Sequence, residues 1–502
     1  MSRILRSIEV LSGRFARDRR GAIAVIFIVA LVPLIAAGGA AIDISRAYLV
    51  QQRLGMAIDA AGLAIGSSSG SDADLQQKMT RFFNANYPAN EIGVPATPVM
   101  TVTGNRIQIS ATASVDATLM KIVGINTITV AASTEVVREI SGLEVALVLD
   151  VTGSMNTNNR IGAMRAAATT LVNTLYDASP NPATIKISLI PFVTSVNIGT
   201  GHMAWIDTAG AAQHHGENFN PRTNHSTLFA NMNRPWKGCV EARPAPYDTD
   251  DTPPSAGTPN TMFVPYFWPD EPNTSGQGYN NSYMNDGVTG TDAVRQQSIG
   301  KYGTQTPSID ETASDTSGPN KSCGNPLLPL TNDRTLILNR IAALRAWNNG
   351  GTVGSEGLAW GWRAISPGEP FTEGAAYSDV TVAKALVFLT DGENQAFGQD
   401  GNMNRSDYGG FGYVARGRLG TTTDKNVARQ NIDAKVATLC QNIKNVGINL
   451  YTITFEVSGS AAPLLEACAS RPSQYFDSPT TSELEGIFRT IANQLSNLRL
   501  GR

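Results

Sequence analysis

The apolar positions of this chain change rhythm along its length, and each rhythm predicts a different structure. Residues 21–42 are 22 consecutive uncharged positions. At about 1.5 Å per residue this stretch crosses a hydrocarbon core of about 30 Å, so a membrane-spanning helix is expected. Pro33 in its middle is better tolerated in lipid than in water. Leu54, Ala57, Ile58, Ala61 and Ile65 then recur at helical spacing and continue a helix with one apolar stripe. Residues 72–87 predict a second helix with Leu75, Met79, Phe82 and Phe83 on its apolar face. The period then falls to two. Residues 99–103 and 106–115 flank Gly104-Asn105, a two-residue hairpin turn, and a third strand is expected over 127–137. From Val145 to Leu149 all alternation stops, as expected for a parallel strand covered on both faces. Helices over 160–176, 332–347, 426–446 and 482–498 alternate from there with strands over 185–192, 384–389 and 448–455. That order predicts a mainly parallel sheet between two helical layers.

Residues 199–330 interrupt this pattern with a run rich in Asn, Gly, Pro and Thr that also holds Trp205, Trp236, Trp268 and several tyrosines. A connection this long is functional or disordered. Its aromatics and two cysteines favour an ordered insertion, either part of a binding surface or a stabilising cap. A length of 502 residues asks for two or three domains. The expected divisions are a basic segment 1–20, the span 21–42, a helix with a small α+β domain over 43–140, and an α/β domain over 141–502.

Charge adds direction. Arg3, Arg6, Arg14, Arg17, Arg19 and Arg20 precede the span; removing these six from 39 basic residues, and Glu9 and Asp18 from 42 acidic ones, leaves 33 against 40. The positive-inside rule keeps the N-terminus in the cytoplasm and sends the rest outward. The mildly acidic body argues against a nucleic-acid partner. A cleaved secretory signal is the alternative, with small residues at 36–41, although its apolar region exceeds the usual length.

Four cysteines in an exported body fit two disulfides, and three pairings are possible. Local closure favours Cys239 with Cys323 and Cys440 with Cys468; free buried thiols are the alternative. His202, His214, His215 and His225 crowd the insertion near Asp207 and Glu217 but lack recognised ligand spacing, and are expected as solvated loop residues. Asp248, Asp250 and Asp251 are expected as surface charge.

The chemistry concentrates where strands end. Asp150-Val151-Thr152-Gly153-Ser154 places three oxygen-bearing side chains two residues apart in a loop that Gly153 allows to turn tightly. Lys384-Ala385-Leu386-Val387-Phe388-Leu389-Thr390-Asp391-Gly392 repeats the design, and Asn348-Asn349-Gly350-Gly351-Thr352 lies between. Hard oxygens suit Mg²⁺, or Ca²⁺ and Mn²⁺, and suit Zn²⁺ poorly. The three loops, in this order, resemble the metal-ion-dependent adhesion site of von Willebrand factor A (vWA) domains, with Thr152 in place of the middle serine. The resemblance implies a doubly wound α/β fold, and Asp150, Thr152, Ser154, Thr352 and Asp391 around one Mg²⁺, with a partner's Asp or Glu carboxylate completing the shell.

A second resemblance covers the N-terminus. Arg20-Gly21, then Asp43, Arg46, Tyr48, Leu54, Ala57, Asp59 and Ala60, are similar to the membrane segment of TadE/TadG-like Flp pilus-assembly proteins. Within the insertion, Trp236-Lys237-Gly238-Cys239-Val240-Glu241-Ala242-Arg243 and Phe263-Val264-Pro265-Tyr266-Phe267-Trp268-Pro269-Asp270-Glu271 resemble TadG-like proteins that carry a vWA domain. Pilin-like members carry a glutamate five residues after the processed glycine, where this chain has Ile26. The expectation is a non-enzymatic protein of Tad/Flp pilus assembly or adhesion. It is anchored in the inner membrane of a Gram-negative bacterium, its body lies in the periplasm, and its partner is a pilin, minor pilin or envelope protein. A pseudopilin-like subunit is the alternative. A metal-dependent hydrolase would need a general base and an enclosed pocket, and Glu393 is the candidate base.

Overall fold

The computed structural model describes residues 20–66, 68, 72–88, 92–103, 106–137, 142–179, 181–311, 316–348, 350–457, 461–478 and 480–499. The arginines before Arg20, the hairpin turn expected at Gly104-Asn105, and Asn349 lie outside these residues. The chain divides into two compact units, Met1–Glu139 and Ile140–Arg502.

In the first unit, helix α1 (Arg20–Gly66) runs unbroken for 47 residues through Pro33. Its N-terminal part exposes large apolar side chains all round, among them Val25, Phe27, Val29, Val32 and Leu34. From Val25 onward α1 is long and apolar enough to cross a membrane. The stripe Val50, Leu54, Ala57, Ile58, Ala61 and Ile65 then becomes buried against a sheet. That sheet holds β1 (Val94–Pro95), β2 (Val99–Thr103), β3 (Arg106–Asp116) and β4 (Thr127–Val137), all antiparallel partners of β3. Ile107, Ile109, Ala111, Ala113 and Val115 alternate toward α1, as a half-buried strand must. Helix α2 (Asp72–Asn86) adds Met79 and Phe83, one turn apart. Phe82 is 42% exposed and does not join them, because its neighbour in sequence points about 100° away around the helix.

The second unit is built on β5 (Gly142–Asp150), buried at every position. Parallel to it run β6 (Ile185–Phe192) on one side and β10 (Val382–Thr390), β11 (Asn449–Phe455) and β12 (Tyr475–Ser478) on the other. Successive side chains go to opposite layers. Leu143, Val145, Leu147 and Leu149 pack under α3 (Arg160–Asp177), α7 (Arg334–Ala342) and α11 (Thr481–Arg499). Ala146 and Val148 pack under α8 (Gly354–Ile365), α9 (Lys425–Asn445) and α10 (Ala461–Cys468). This is the expected doubly wound α/β architecture, a mainly parallel sheet between two helical layers.

Three local expectations differ from the structure. Helix 332–347 stops at Ala342 as α7, because Trp347 leaves the helix to donate its N–H to Val151 O at 2.8 Å. Helix α8 and strand β12 were not expected at all. The region 199–330 ends inside β9 (Leu328–Thr331), which pairs antiparallel with β6, so its last residues belong to the sheet.

The described residues of the region are folded; β7 (Val196–Asn197), just before it, and β8 (Cys239–Val240), within it, prolong the sheet. The region has its own apolar cluster around Phe219, Phe229, Phe267 and Tyr302. Disulfides join Cys239 to Cys323 within it and Cys440 to Cys468 between α9 and α10.

Candidate metal centre

Parallel pairing sets the site. Leu149 sits opposite Leu389, so β5 and β10 end together and Asp150 and Asp391 emerge at one edge. Ligands bind at this carboxyl edge in open α/β sheets because the departing loops converge there. Asp150 is fully buried. Its Oδ1 accepts from Thr152 N at 2.8 Å and Thr152 Oγ1 at 2.6 Å, and its Oδ2 accepts from Thr390 Oγ1 at 2.7 Å. Thr152 Oγ1 lies 3.0 Å from Ser154 Oγ, which donates to Asp391 Oδ1 at 2.7 Å. A continuous line of oxygens therefore joins Asp150, Thr152, Ser154 and Asp391.

The third loop is held by backbone contacts and glycines. Thr152 pairs with Trp347 as an isolated bridge, which brings Asn348 beside the site. A Cβ on Gly153 would lie 3.3 Å from the Asn348 backbone, and one on Gly351, at φ +82°, would lie 2.4 Å from Gln395 O. At Gly351 only glycine lets the segments pass, and at Gly153 a side chain would crowd them. Thr352 O accepts from Gln395 N at 2.8 Å. Thr352, Thr152, Ser154, Asn348, Gln395 and Phe397 line an open cleft of about 330 Å³.

Electrostatics define what the cleft lacks. Burial, with the like charge of Asp391 added, pushes Asp150 up to about 7. Burial also raises Asp391, against hydrogen bonds from Ser154 and Arg160 that lower it. Arg160 Nη1 donates to Asp391 Oδ2 at 3.0 Å and its Nε donates to Glu456 Oε2 at 2.8 Å. Thus one cation lies behind Asp391, while the oxygens facing Thr152 and Ser154 have hydroxyl donors. Two carboxylates in a dry place are unfavourable together unless a cation compensates. Among the described residues no three His, Cys, Asp or Glu side chains form a metal cluster. The donor set here is two carboxylates and three hydroxyls, and its hardness and charge fit Mg²⁺, Ca²⁺ or Mn²⁺.

The geometry thus brings Asp150, Thr152, Ser154 and Asp391 into one hydrogen-bonded group and puts Thr352 on the wall of the same cleft. Sequence reasoning missed Asn348 and Arg160 as neighbours of the site, and Glu456, Gln395 and Phe397 altogether. Asn348 was visible within the glycine-rich loop; the others arrive through long-range contacts without a local signal. Glu393 does not face this cleft. It lines a separate small crevice with Asn394 and Asp433, away from Thr152 and Ser154.

Two of the four histidines are not solvated, while His202 and His214 are partly exposed. His215 is buried, with Nδ1 2.7 Å from Asp207 Oδ2 and Nε2 accepting from His225 N at 2.9 Å. His225 Nδ1 lies 2.7 Å from Pro265 O. Burial pushes both down to about 4, so neutral rings are the packed form. Nor are the aspartates surface charge: Asp248 is buried and paired with Lys435, Asp250 pairs with Arg243, and Asp251 accepts from Ser366 and Tyr377.

A family model described as putative Flp pilus-assembly TadE/G-like matches residues 21–66. No curated protein sequence matches the chain. Among solved structures, the chain is similar to the open conformation of the pilus adhesin SpaC from Lactobacillus rhamnosus GG, with 12% identity, TM-score 0.32, 82% of this chain covered and 34% of that one. It is similar to the vWF domain of the type V pili tip protein Mfa5 from Porphyromonas gingivalis, with 12% identity, TM-score 0.35, 72% of this chain covered and 97% of that one. Proximal thread matrix protein 1 from the mussel byssus, in a form with a zinc occupied MIDAS motif, gives 10% identity, TM-score 0.30, 70% of this chain covered and 47% of that one. The chain spans about a third of the length of the SpaC structure.

Proposed function

We propose that this chain is a membrane-anchored, non-enzymatic protein of Tad/Flp pilus assembly or adhesion that binds a protein partner through a divalent cation. The observation that carries the reading is the line of oxygens from Asp150 through Thr152 and Ser154 to Asp391, of which Thr152 and Ser154 line an open cleft. Asp150, Thr152, Ser154, Thr352 and Asp391 would hold the ion. When bound it supplies a positive centre that accepts a carboxylate oxygen from an Asp or Glu of the partner. The chain's own part is to bury the charge of Asp150, to hold the two hydroxyls toward one point, and to leave the cleft open on the side of Asn348 and Phe397. The adjoining insertion touches this rim, where Ser322 Oγ donates to Asn348 O at 3.2 Å, and it would form part of the same surface.

The family match at residues 21–66 and the apolar exposed start of α1 support a membrane anchor. The arginines before it favour an inner-membrane orientation with the N-terminus in the cytoplasm and the body in the periplasm. The match also favours the second reading, a pseudopilin-like subunit held in a fibre by α1. A mature N-terminus at Ala22 would support it, and an intact N-terminus would remove it.

The test is binding of purified pilin and minor pilin of the same system to the full-length protein in detergent. Binding is expected with MgCl₂, is expected to vanish with EDTA, and is expected to be lost in Asp391→Asn. Binding that is indifferent to both treatments would sink the metal-bridged mechanism.

A further inference from the structure

We propose that the loop joining β3 to β4, residues 117–126, is a second membrane contact whose apolar tip sits in the interfacial layer of the bilayer crossed by α1. The proposal rests on the reading of residues 21–42 as a membrane span.

The position of the loop is fixed on the helix. Asp43 is the first charged residue after the apolar stretch, yet it is buried. Its carboxylate accepts from three successive backbone N–H groups of the loop: Thr118 at 2.9 Å, Leu119 at 2.8 Å and Met120 at 2.8 Å. Arg46 adds a hydrogen bond to Thr118 Oγ1. Leu119 lies against Gly39, where an added Cβ would come within 2.5 Å of Leu119 Cβ. The loop is therefore clamped to α1 between Gly39 and Arg46, about 10 Å of helix that straddles the end of the apolar segment.

The tip is built for lipid rather than for water. It turns through one 3-10 turn, Met120–Val123, closed by Gly124 at φ +87°. Exposed turns ordinarily carry Gly, Asn, Asp and Ser, which satisfy the backbone and cost nothing in water. Here Ile122 is 65% exposed, Val123 56% and Ile125 41%, with Lys121 as the one charged residue of the loop. A lysine beside apolar side chains suits the headgroup layer, where its stem stays in hydrocarbon and its ammonium reaches phosphate. Tyr48, one turn beyond Ile44 on α1, is also exposed, as a residue of an interfacial aromatic belt would be. The occupant follows from continuity. A surface clamped to the residue at which a span leaves the hydrocarbon meets the headgroups without recruiting any partner. Two attachments, the span and the loop, then fix the tilt of the first unit on the bilayer, which one helix alone would leave free.

The test uses the full chain reconstituted in vesicles of equal parts phosphatidylcholine and phosphatidylglycerol. An environment-sensitive nitrobenzoxadiazole label is attached at Val123→Cys or, as a control, at Gln108→Cys, an exposed position toward the other end of β3. Both variants are expected to melt like wild type, since neither side chain is in a core. The label at 123 should show blue-shifted emission and quenching by lipid carrying a nitroxide near the headgroup, and the label at 108 should be quenched by aqueous iodide alone. In Asp43→Ala the lipid quenching at 123 should fall while the protein still floats with the vesicles. If the protein floats and the two labels behave alike, the loop proposal is overturned. A blue shift without lipid quenching overturns it as well, because protein rather than lipid then covers the tip. Failure to float would overturn the span itself and everything that rests on it.

Discussion

Strand β5 carries an acidic residue near each end, Glu144 and Asp150, and its neighbour β10 answers the two differently. At the start, Glu144 is buried directly opposite Lys384, which donates to it, and Ala375 N donates to the same carboxylate at 3.0 Å. At the finish, Asp150 and Asp391 meet as like charges, and burial raises both. One end is closed because Lys384 neutralises Glu144 directly; at the other Arg160 meets Asp391 from one side, and among the described residues Asp150 has no ion-pair partner. A buried carboxylate is therefore no sign of function by itself. The sign is a buried carboxylate whose neighbour repeats its charge beside an open cleft.

The largest effect expected from breaking this contrast is at the closed end. Lys384→Met leaves Glu144 with the half-exposed Lys186 at 3.5 Å and should cost about 3 to 5 kcal/mol in urea unfolding. A cost near zero would mean that Glu144 is not held by its partner and that the two ends do not differ. At the open end, Ser154→Ala removes the oxygen shared by Thr152 and Asp391 and should weaken Mg²⁺ binding in calorimetry by about tenfold, or about 1.4 kcal/mol. In chelator, Asp150→Asn relieves one of two like charges while keeping an oxygen toward Thr152, and its stability should stay within about 1 kcal/mol of wild type. Smaller still is Glu456→Gln, which removes one arm of a partly exposed pair with Arg160 and should change melting by no more than about 1 kcal/mol.

The open end was legible in sequence because its signal is local: an apolar run that stops at a carboxylate, followed within four residues by two hydroxyls and a glycine. Helix α8 was not. Its sequence, Gly-Ser-Glu-Gly-Leu-Ala-Trp-Gly-Trp-Arg-Ala-Ile, has three glycines, which weaken a helix reading, and it is buried at every position. Those glycines bring it onto the sheet, where a Cβ on Gly361 would lie 2.4 Å from Val148. The overrun at 332–347 has the opposite cause. Helical apolar spacing continues to Trp347, but a hydrogen bond to Val151, far away in sequence, takes the segment to the carboxyl edge of the sheet. The histidines misled because polar composition suggests exposure, whereas Asp207 and backbone groups satisfy His215 and His225 inside the insertion. Composition reports which groups need partners, and only the fold reveals whether they have them.

The measurement that tests the central claim most directly is thermal melting of the full-length protein in detergent, titrated with MgCl₂ and then EDTA, beside Asp150→Ala. A cation that binds only the folded chain, at 100 times its Kd, should add about 2.7 kcal/mol to wild type, reversibly, and nothing to the variant. A wild type that melts at one temperature with Mg²⁺, with Ca²⁺, with Mn²⁺ and with EDTA would contradict the claim that the carboxyl edge is built to hold a cation.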